Sequence, residues 1–259
     1  MKRALINLCF ITFILSFLGC DKDDNSSANG NTLLPGTLNV EFVNKVDSLD
    51  LDITGNTNYQ TSIGETFSVN VFKYYASNIR LIKSDSSRYY LPNTYWLMNA
   101  ENPQSLLKSL NNVAAGKYIG IEFMIGVDST TLSQGVQSGD LDPSNGMIWS
   151  WTTGYIFLKM EGRCPTAGTD SLFQYHISGY HDYDGTNALR WATIYFNGQT
   201  INVNKSVNTT IQIKADLQEF FKNPSDWSIS DSPFVTSPGH LPPIMADNYK
   251  DMFSFVKVN

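Results

Sequence analysis

Alternation of apolar and polar positions dominates the chain. Leu38, Val40 and Phe42 alternate with Asn39 and Glu41, the period-two signature of a half-buried strand. Leu49, Leu51 and Ile53 repeat the pattern, and so do Phe67, Val69 and Val71 in a run that continues through Tyr74 to Ile82. Residues 88–91 and 95–98 read as short strands around Pro92-Asn93, and Ile119, Ile121, Phe123 and Ile125 form one of the clearest. The same alternation predicts strands over 155–161, 172–178, 189–196, 207–213 and 253–258.

Helical patterns are few. An early proline, with Leu106, Leu107 and Leu110 on one side, predicts a helix over 103–110. A second is predicted over 215–222 and ends at Asn223-Pro224. Residues 128–136 read as a surface turn or short helix, and 246–251 as a helical turn. Asp184-Gly185 and Asn197-Gly198 are turn signals of the hairpin type. Pro224, Pro233, Pro238, Pro242 and Pro243 predict that the chain runs mainly as loop to Pro243. Many short strands with so few helices predict an all-β fold, a β-sandwich in one domain with a few short helices and long loops.

The amino terminus is of another kind. Met1-Lys-Arg supplies positive charge, and Leu5 to Leu18 is apolar but too short for a spanning helix. The run stops at Phe17-Leu-Gly-Cys20, which resembles a bacterial lipoprotein signal. That resemblance implies cleavage before Cys20 and lipid on Cys20, so that several acyl chains hold the protein to a membrane. Residues 1–19 are then the signal peptide, 20–36 the lipidated Cys and a flexible polar tether, and 37–259 the folded domain. Lys22-Asp23-Asp24 resembles the acidic export signal of surface lipoproteins in the Bacteroidetes, which implies an outer-membrane, surface-exposed location.

Without Lys2 and Arg3, 16 basic residues stand against 24 acidic ones, a net charge of about −8. An acidic domain without a Lys/Arg run is not built for nucleic acid. Of the cysteines, Cys9 leaves with the signal and Cys20 is lipidated, so Cys164 remains alone and no intrachain disulfide forms. Cys164 precedes Pro165 in a loop pattern and is not read as a nucleophile. There is no Gly-x-Ser-x-Gly and no Gly-rich phosphate loop.

Candidate chemistry concentrates between Asp140 and Gly179. Pro143 and Gly146 bracket a turn, and Trp149 and Trp151, two apart, share a face if the segment is extended. Asp140, Asp142 and Asn145 form a partial oxygen-ligand series before Gly146. The series misses the EF-hand spacing by one residue and has Trp151 where that loop needs Glu, so it reads as a turn held by side-chain-to-backbone bonds, with a calcium site as the lesser alternative. His176 has the polar parity of its strand, with Gln174 and Ser178. His181 stands before Asp182 and Asp184, and His240 lies in the Pro-rich loop. None of the three is spaced like a zinc pair.

Several segments resemble the MbnP-like family, named for the methanobactin-cluster partner protein. They are Lys73-Tyr-Tyr-Ala-Ser-Asn-Ile-Arg-Leu81, Phe123-Met-Ile-Gly-Val-Asp-Ser129, Gly139-Asp-Leu-Asp-Pro-Ser-Asn-Gly-Met147, Trp149-Ser-Trp-Thr-Thr-Gly-Tyr155, Tyr175-His-Ile-Ser-Gly179 and Ala246-Asp-Asn-Tyr-Lys-Asp-Met-Phe-Ser254. The resemblance implies a β-sandwich. It also implies a copper site made of histidines and a Trp oxidised to kynurenine, with a diheme peroxidase-type partner performing the oxidation. Carried onto this sequence, His176 is the histidine, and Trp149 and Trp151 are the Trp-x-Trp pair, Trp149 first in line as kynurenine precursor. An intact indole nitrogen only donates, so ring opening is what would make it a ligand. The chain departs from the pattern at Asn44, Lys257 and Asn259, where relatives often carry His; Met147 or Met124 could add a soft sulfur. Two function classes follow. One is a non-catalytic copper-binding or copper-handling lipoprotein; the other is a metal-free surface module for a glycan or a partner protein. Convergent ligands around His176 mark the first, and exposed aromatics with polar neighbours mark the second.

Overall fold

The computed structural model describes residues 34–150, 154–168, 170–180, 187–237 and 239–259. The signal segment, Cys20, most of the tether, Trp151, His181 and the Asp184-Gly185 turn lie outside the described residues. The main strands, in chain order, are β1 (Gly36–Val46), β2 (Thr66–Lys83), β3 (Arg88–Tyr90), β4 (Tyr95–Asn99), β5 (Leu107–Val113), β6 (Gly116–Ile125), β7 (Ile148–Ser150), β8 (Leu158–Arg163), β9 (Leu172–Ile177), β10 (Arg190–Tyr195), β11 (Thr209–Asp216) and β12 (Phe253–Val258). Among the described residues two α-helices accompany them, α1 (Ser129–Ser133) and α2 (Leu241–Tyr249).

Two sheets face each other. In the first, β1 pairs in parallel with β11 and antiparallel with β5, and β12 closes the far side of β11. The second is built on the 18-residue β2. Along one edge of β2, β8 pairs with Ser68–Tyr74 and β6 takes over from Ala76 to Lys83. β9 adds to β8, β10 adds to β6, and β3 and β4 line the other edge of β2.

Aromatic rings fill the space between the sheets. Phe42 and Phe253 of the first sheet meet Tyr74 and Phe123 of the second, with centroids 5.7 Å apart for Phe42–Phe123 and 4.9 Å for Phe123–Phe253, both edge to face. Leu38, Val40 and Phe42 are buried as their alternation predicts. In β2 the alternation changes phase. A bulge opposite Glu161 and Gly162 puts Phe67 and Val69 in the core on one side of it and Phe72 and Tyr74 on the other, so Val71 is only half-buried.

Several local expectations give way. The segment 103–110 is a single 3₁₀ turn, Pro103–Leu106, capped by the Asn102 side chain, and then becomes β5. The open edge of β1 takes Leu107 to Val113 as a strand, and ladder pairing overrides a marginal helix pattern. The predicted strand at 49–53 is only the pair Leu49–Asp50. The Asp52 carboxylate there captures Thr54 N at 2.8 Å and Thr57 Oγ1 at 2.7 Å, while Asp52 N donates to Tyr59 Oη, so the backbone turns away from a ladder. The predicted helix at 215–222 shrinks to a 3₁₀ turn at Glu219–Phe221, because β11 runs on through Ala215 and Asp216 in register with β1. The stretch 155–161 divides into the short Gly154–Tyr155 strand and β8.

The loop ends earlier than its prolines suggest. Pro242 and Pro243 sit in the first turn of α2, where a missing N–H costs nothing, so the helix starts at Leu241. Asn197 and Gly198 both have positive φ, as a hairpin turn would need, yet the strands on either side, β10 and Ile201–Val203, pair with β6 and not with each other. The Pro-rich loop is tied down by Glu65, which accepts from Ile229 N at 2.7 Å, Ser230 N at 2.8 Å and Ser228 Oγ at 3.1 Å.

Candidate functional site

The outer face of the second sheet, turned away from the aromatic core, gathers the candidate residues. In the β8–β9 ladder Leu158 faces Ile177 and Lys159 faces His176. Leu158 and Ile177 are fully buried, so the row one residue along, Lys159 and His176, points to the other side of the sheet. Glu161, two further along β8, joins that row's face. Its Oε1 lies 2.6 Å from His176 Nε2, and Lys159 Nζ lies 3.3 Å from the same oxygen.

Trp149 stands over this group from β7. Its ring centroid is 5.2 Å from that of His176, with the planes tilted by 55°. Trp149 is 40% exposed, whereas the His176 side chain keeps only 12% of its surface in contact with solvent. The returning strand is held close by Gly154, at φ +89°, where a Cβ would come within 2.4 Å of the Tyr180 ring. The structure therefore brings Trp149 and His176 together.

Burial penalises a charged imidazole and holds the His176 pKa below its ordinary 6.5; Glu161 opposes this and Lys159 reinforces it. Burial would raise the Glu161 carboxyl, but the His176 hydrogen bond and Lys159 outweigh it, and Glu161 sits below the usual carboxylate range. Burial favours the neutral imidazole and a carboxylate only accepts, so the contact is a hydrogen bond from His176 Nε2 to Glu161. His176 then carries its hydrogen on Nε2 and its lone pair on Nδ1. Nδ1 is buried without a hydrogen-bond partner among the described residues, and so is the Oγ of Ser178, which shares the parity of His176 and is fully buried.

The polar side chains of the acidic turn are engaged within the protein. Asp140 Oδ2 accepts from Lys108 Nζ at 2.6 Å and from Leu97 N at 2.9 Å. Asp142 caps the 3₁₀ turn Pro143–Asn145 by accepting from Ser144 N, and the Ser144 side chain, with that backbone bond, holds its carboxyl below the ordinary value. Asn145 Nδ2 donates to the carbonyls of Gly139 and Asp140. Cys164 is fully buried in the core.

The MbnP family model matches residues 35–238. The chain belongs to the MbnP family. MbnP from Methylosinus trichosporium shares its fold, with a TM-score of 0.53 at 14% identity over 82% of this chain and 86% of that one. No curated protein matches the sequence.

Within this MbnP fold, the positions that depart from the pattern are not brought to His176. Asn44 belongs to the first sheet and faces the inter-sheet space, where Tyr74 Oη donates to its Oδ1 at 3.5 Å. Lys257 and Asn259 lie at the end of β12 and beyond the family match. Met147 is buried in the core, and Met124 sits opposite Trp191 in the β6–β10 ladder. Among the described residues no group of three or more His, Cys, Asp or Glu side chains is placed to hold a metal ion. Sequence reading missed Lys159 and Glu161 as neighbours of His176. Ser178 was visible through its shared parity, but Lys159 and Glu161 required the β8–β9 register.

Proposed function

We propose that this MbnP-family chain is a non-catalytic envelope lipoprotein that binds copper through His176. One observation carries the reading: a nearly buried imidazole commits Nε2 to Glu161 and leaves Nδ1 without a hydrogen-bond partner among the described residues, with the Trp149 ring alongside. A carboxylate behind a histidine is the arrangement that fixes the tautomer and strengthens the free nitrogen as a ligand. Neutral imidazole suits copper, and bound copper would supply a tight divalent or monovalent metal centre. His176 Nδ1 would hold it, with Trp149 adding a nitrogen once its ring is opened to kynurenine. The exposure of Trp149 supports access by an oxidising partner of the diheme peroxidase type. Anchoring through Cys20 would place the site at the outer membrane.

A second reading, a metal-free binding module, is supported by the exposed aromatics Tyr90, Trp191 and Tyr195. The test is to produce the mature chain in a host that makes it naturally, load it with copper, and measure bound metal together with intact mass. One copper per chain, lost in His176→Ala, with a mass change mapping to Trp149 or Trp151, is expected. Unmodified Trp together with no copper at micromolar supply would overturn the copper reading and leave the metal-free one.

A further inference from the structure

Beyond the bulge at Asn78, the outer face of the second sheet carries a separate group of side chains. Arg80 of β2 stands in register with Tyr90 of β3 on one side and Glu122 of β6 on the other. The Arg80 guanidinium carbon lies 3.6 Å from the centre of the Trp191 ring and 5.1 Å from that of Tyr90. Tyr90 and Tyr195 are 62% and 53% exposed, and Trp191 is 37% exposed. This is a large amount of aromatic surface to leave in water on one sheet face.

The charges there are unevenly satisfied. Glu122, almost buried, accepts from Arg88 at both oxygens, Nη2 at 2.8 Å and Nε at 3.3 Å, and is thereby neutralised. No carboxylate among the described residues forms an ion pair with Arg80, in a chain with more acidic than basic residues. The Arg80 guanidinium is held over the Trp191 ring. A guanidinium that pairs with no carboxylate keeps N–H groups able to take a planar anion through two parallel hydrogen bonds.

We infer that Arg80, Tyr90, Trp191 and Tyr195 form a binding site for an acidic saccharide, a sugar chain bearing carboxylates. The unpaired guanidinium complements the carboxylate. The negative ring faces that Arg80 does not cover, that of Tyr195 above all, attract the polarised C–H groups on the flat side of a pyranose. Trp191 and Tyr195, four residues apart on one strand, are separated by roughly 13 Å, which suits successive rings of an oligomer rather than one small ion. A flat sheet face also accepts a ribbon-like sugar chain without a preformed groove. The inference deepens the binding-module reading by naming a site and ligand class, and it is compatible with copper at His176. The rows of the two sites cross β2 at different places, at Lys73 for His176 and at Ser77 for Trp191.

The test is calorimetric titration of the mature chain with an oligogalacturonate and with a neutral galactose oligomer of the same length. Binding of the acidic oligomer that weakens with salt, and is at least about tenfold weaker for the neutral one, is expected. Arg80→Met keeps the stem and removes the fork, and should reduce affinity by about tenfold or more. Trp191→Ala should do the same, with the unfolding midpoint of each variant confirming an intact fold. No binding at millimolar acidic oligomer, equal binding of the neutral one, or undiminished binding by Arg80→Met would overturn the inference. Since Arg80→Met leaves His176 in place, copper loading of that variant reads the other site separately.

Discussion

Glu161 Oε1 and His176 Nε2 stand 2.6 Å apart on neighbouring strands, and this contact decides which imidazole nitrogen is available. If the contact orients a copper ligand, Glu161→Gln should weaken copper binding by about 10–100-fold while leaving the fold in place. A competition titration against a chelator of known affinity measures it. Unchanged affinity would mean that the carboxylate serves only the sheet.

The same site makes stability depend on pH. His176 has a folded pKa below its unfolded value, so its neutral form stabilises the fold above about pH 6.5. As the pH falls, the unfolded chain takes up the proton first, and this contribution disappears through the folded pKa. Glu161, also lowered, adds a loss in the same direction at lower pH. The unfolding-midpoint difference between the parent and His176→Gln should therefore shrink between neutral pH and about pH 5. A difference that stays constant over that range would contradict a buried neutral imidazole.

Glu65 holds the Pro-rich loop through two backbone amides and a hydroxyl. Burial acts to raise its carboxyl, but the bonds from Ser230 and Ile229 prevail and keep it low. Glu65→Ala leaves those amides without their acceptor and should cost about 1–3 kcal/mol. Hydrogen exchange at Ile229 and Ser230 should accelerate well before the core strands open. Protection equal to that of the parent would show that the loop is held by other contacts.

Phe42 touches Tyr74, Trp96, Phe123 and Phe253, so it joins the two sheets. Phe42→Ala should lose about 3–5 kcal/mol in denaturant unfolding. A loss below about 1 kcal/mol would show that the inter-sheet space can collapse around the missing ring.

Gly162 lies where β8 meets the bulge of β2, and a Cβ there would stand 1.9 Å from the Ser68 carbonyl oxygen. Backbone cannot swing aside as a side chain can, so Gly162→Ala should cost upward of about 1–3 kcal/mol. Gly239→Ala, which meets open space, should stay within about 0.5 kcal/mol of the parent. Equal midpoints for the two variants would refute the close approach.

Strand alternation is a local property, and where burial on one face was strong the sequence alone determined the element. It did so for β1, β6, β9, β10 and β12, for the sandwich class, and for the polar-face position of His176. Edges and partners are not local. Residues 107–113 became a strand because β1 offered an unpaired edge, and the phase change in β2 follows from a bulge set by its partner β8. The setting of His176 was decided in the same way. Its neighbours Lys159 and Glu161 come from another strand, and its tautomer follows from the hydrogen bond to Glu161 that their register allows. Arg80 meets Trp191 only because β6 lies between their strands. Periodicity chooses which face a side chain takes; register and burial, which arise only when distant segments pair, choose what it meets there.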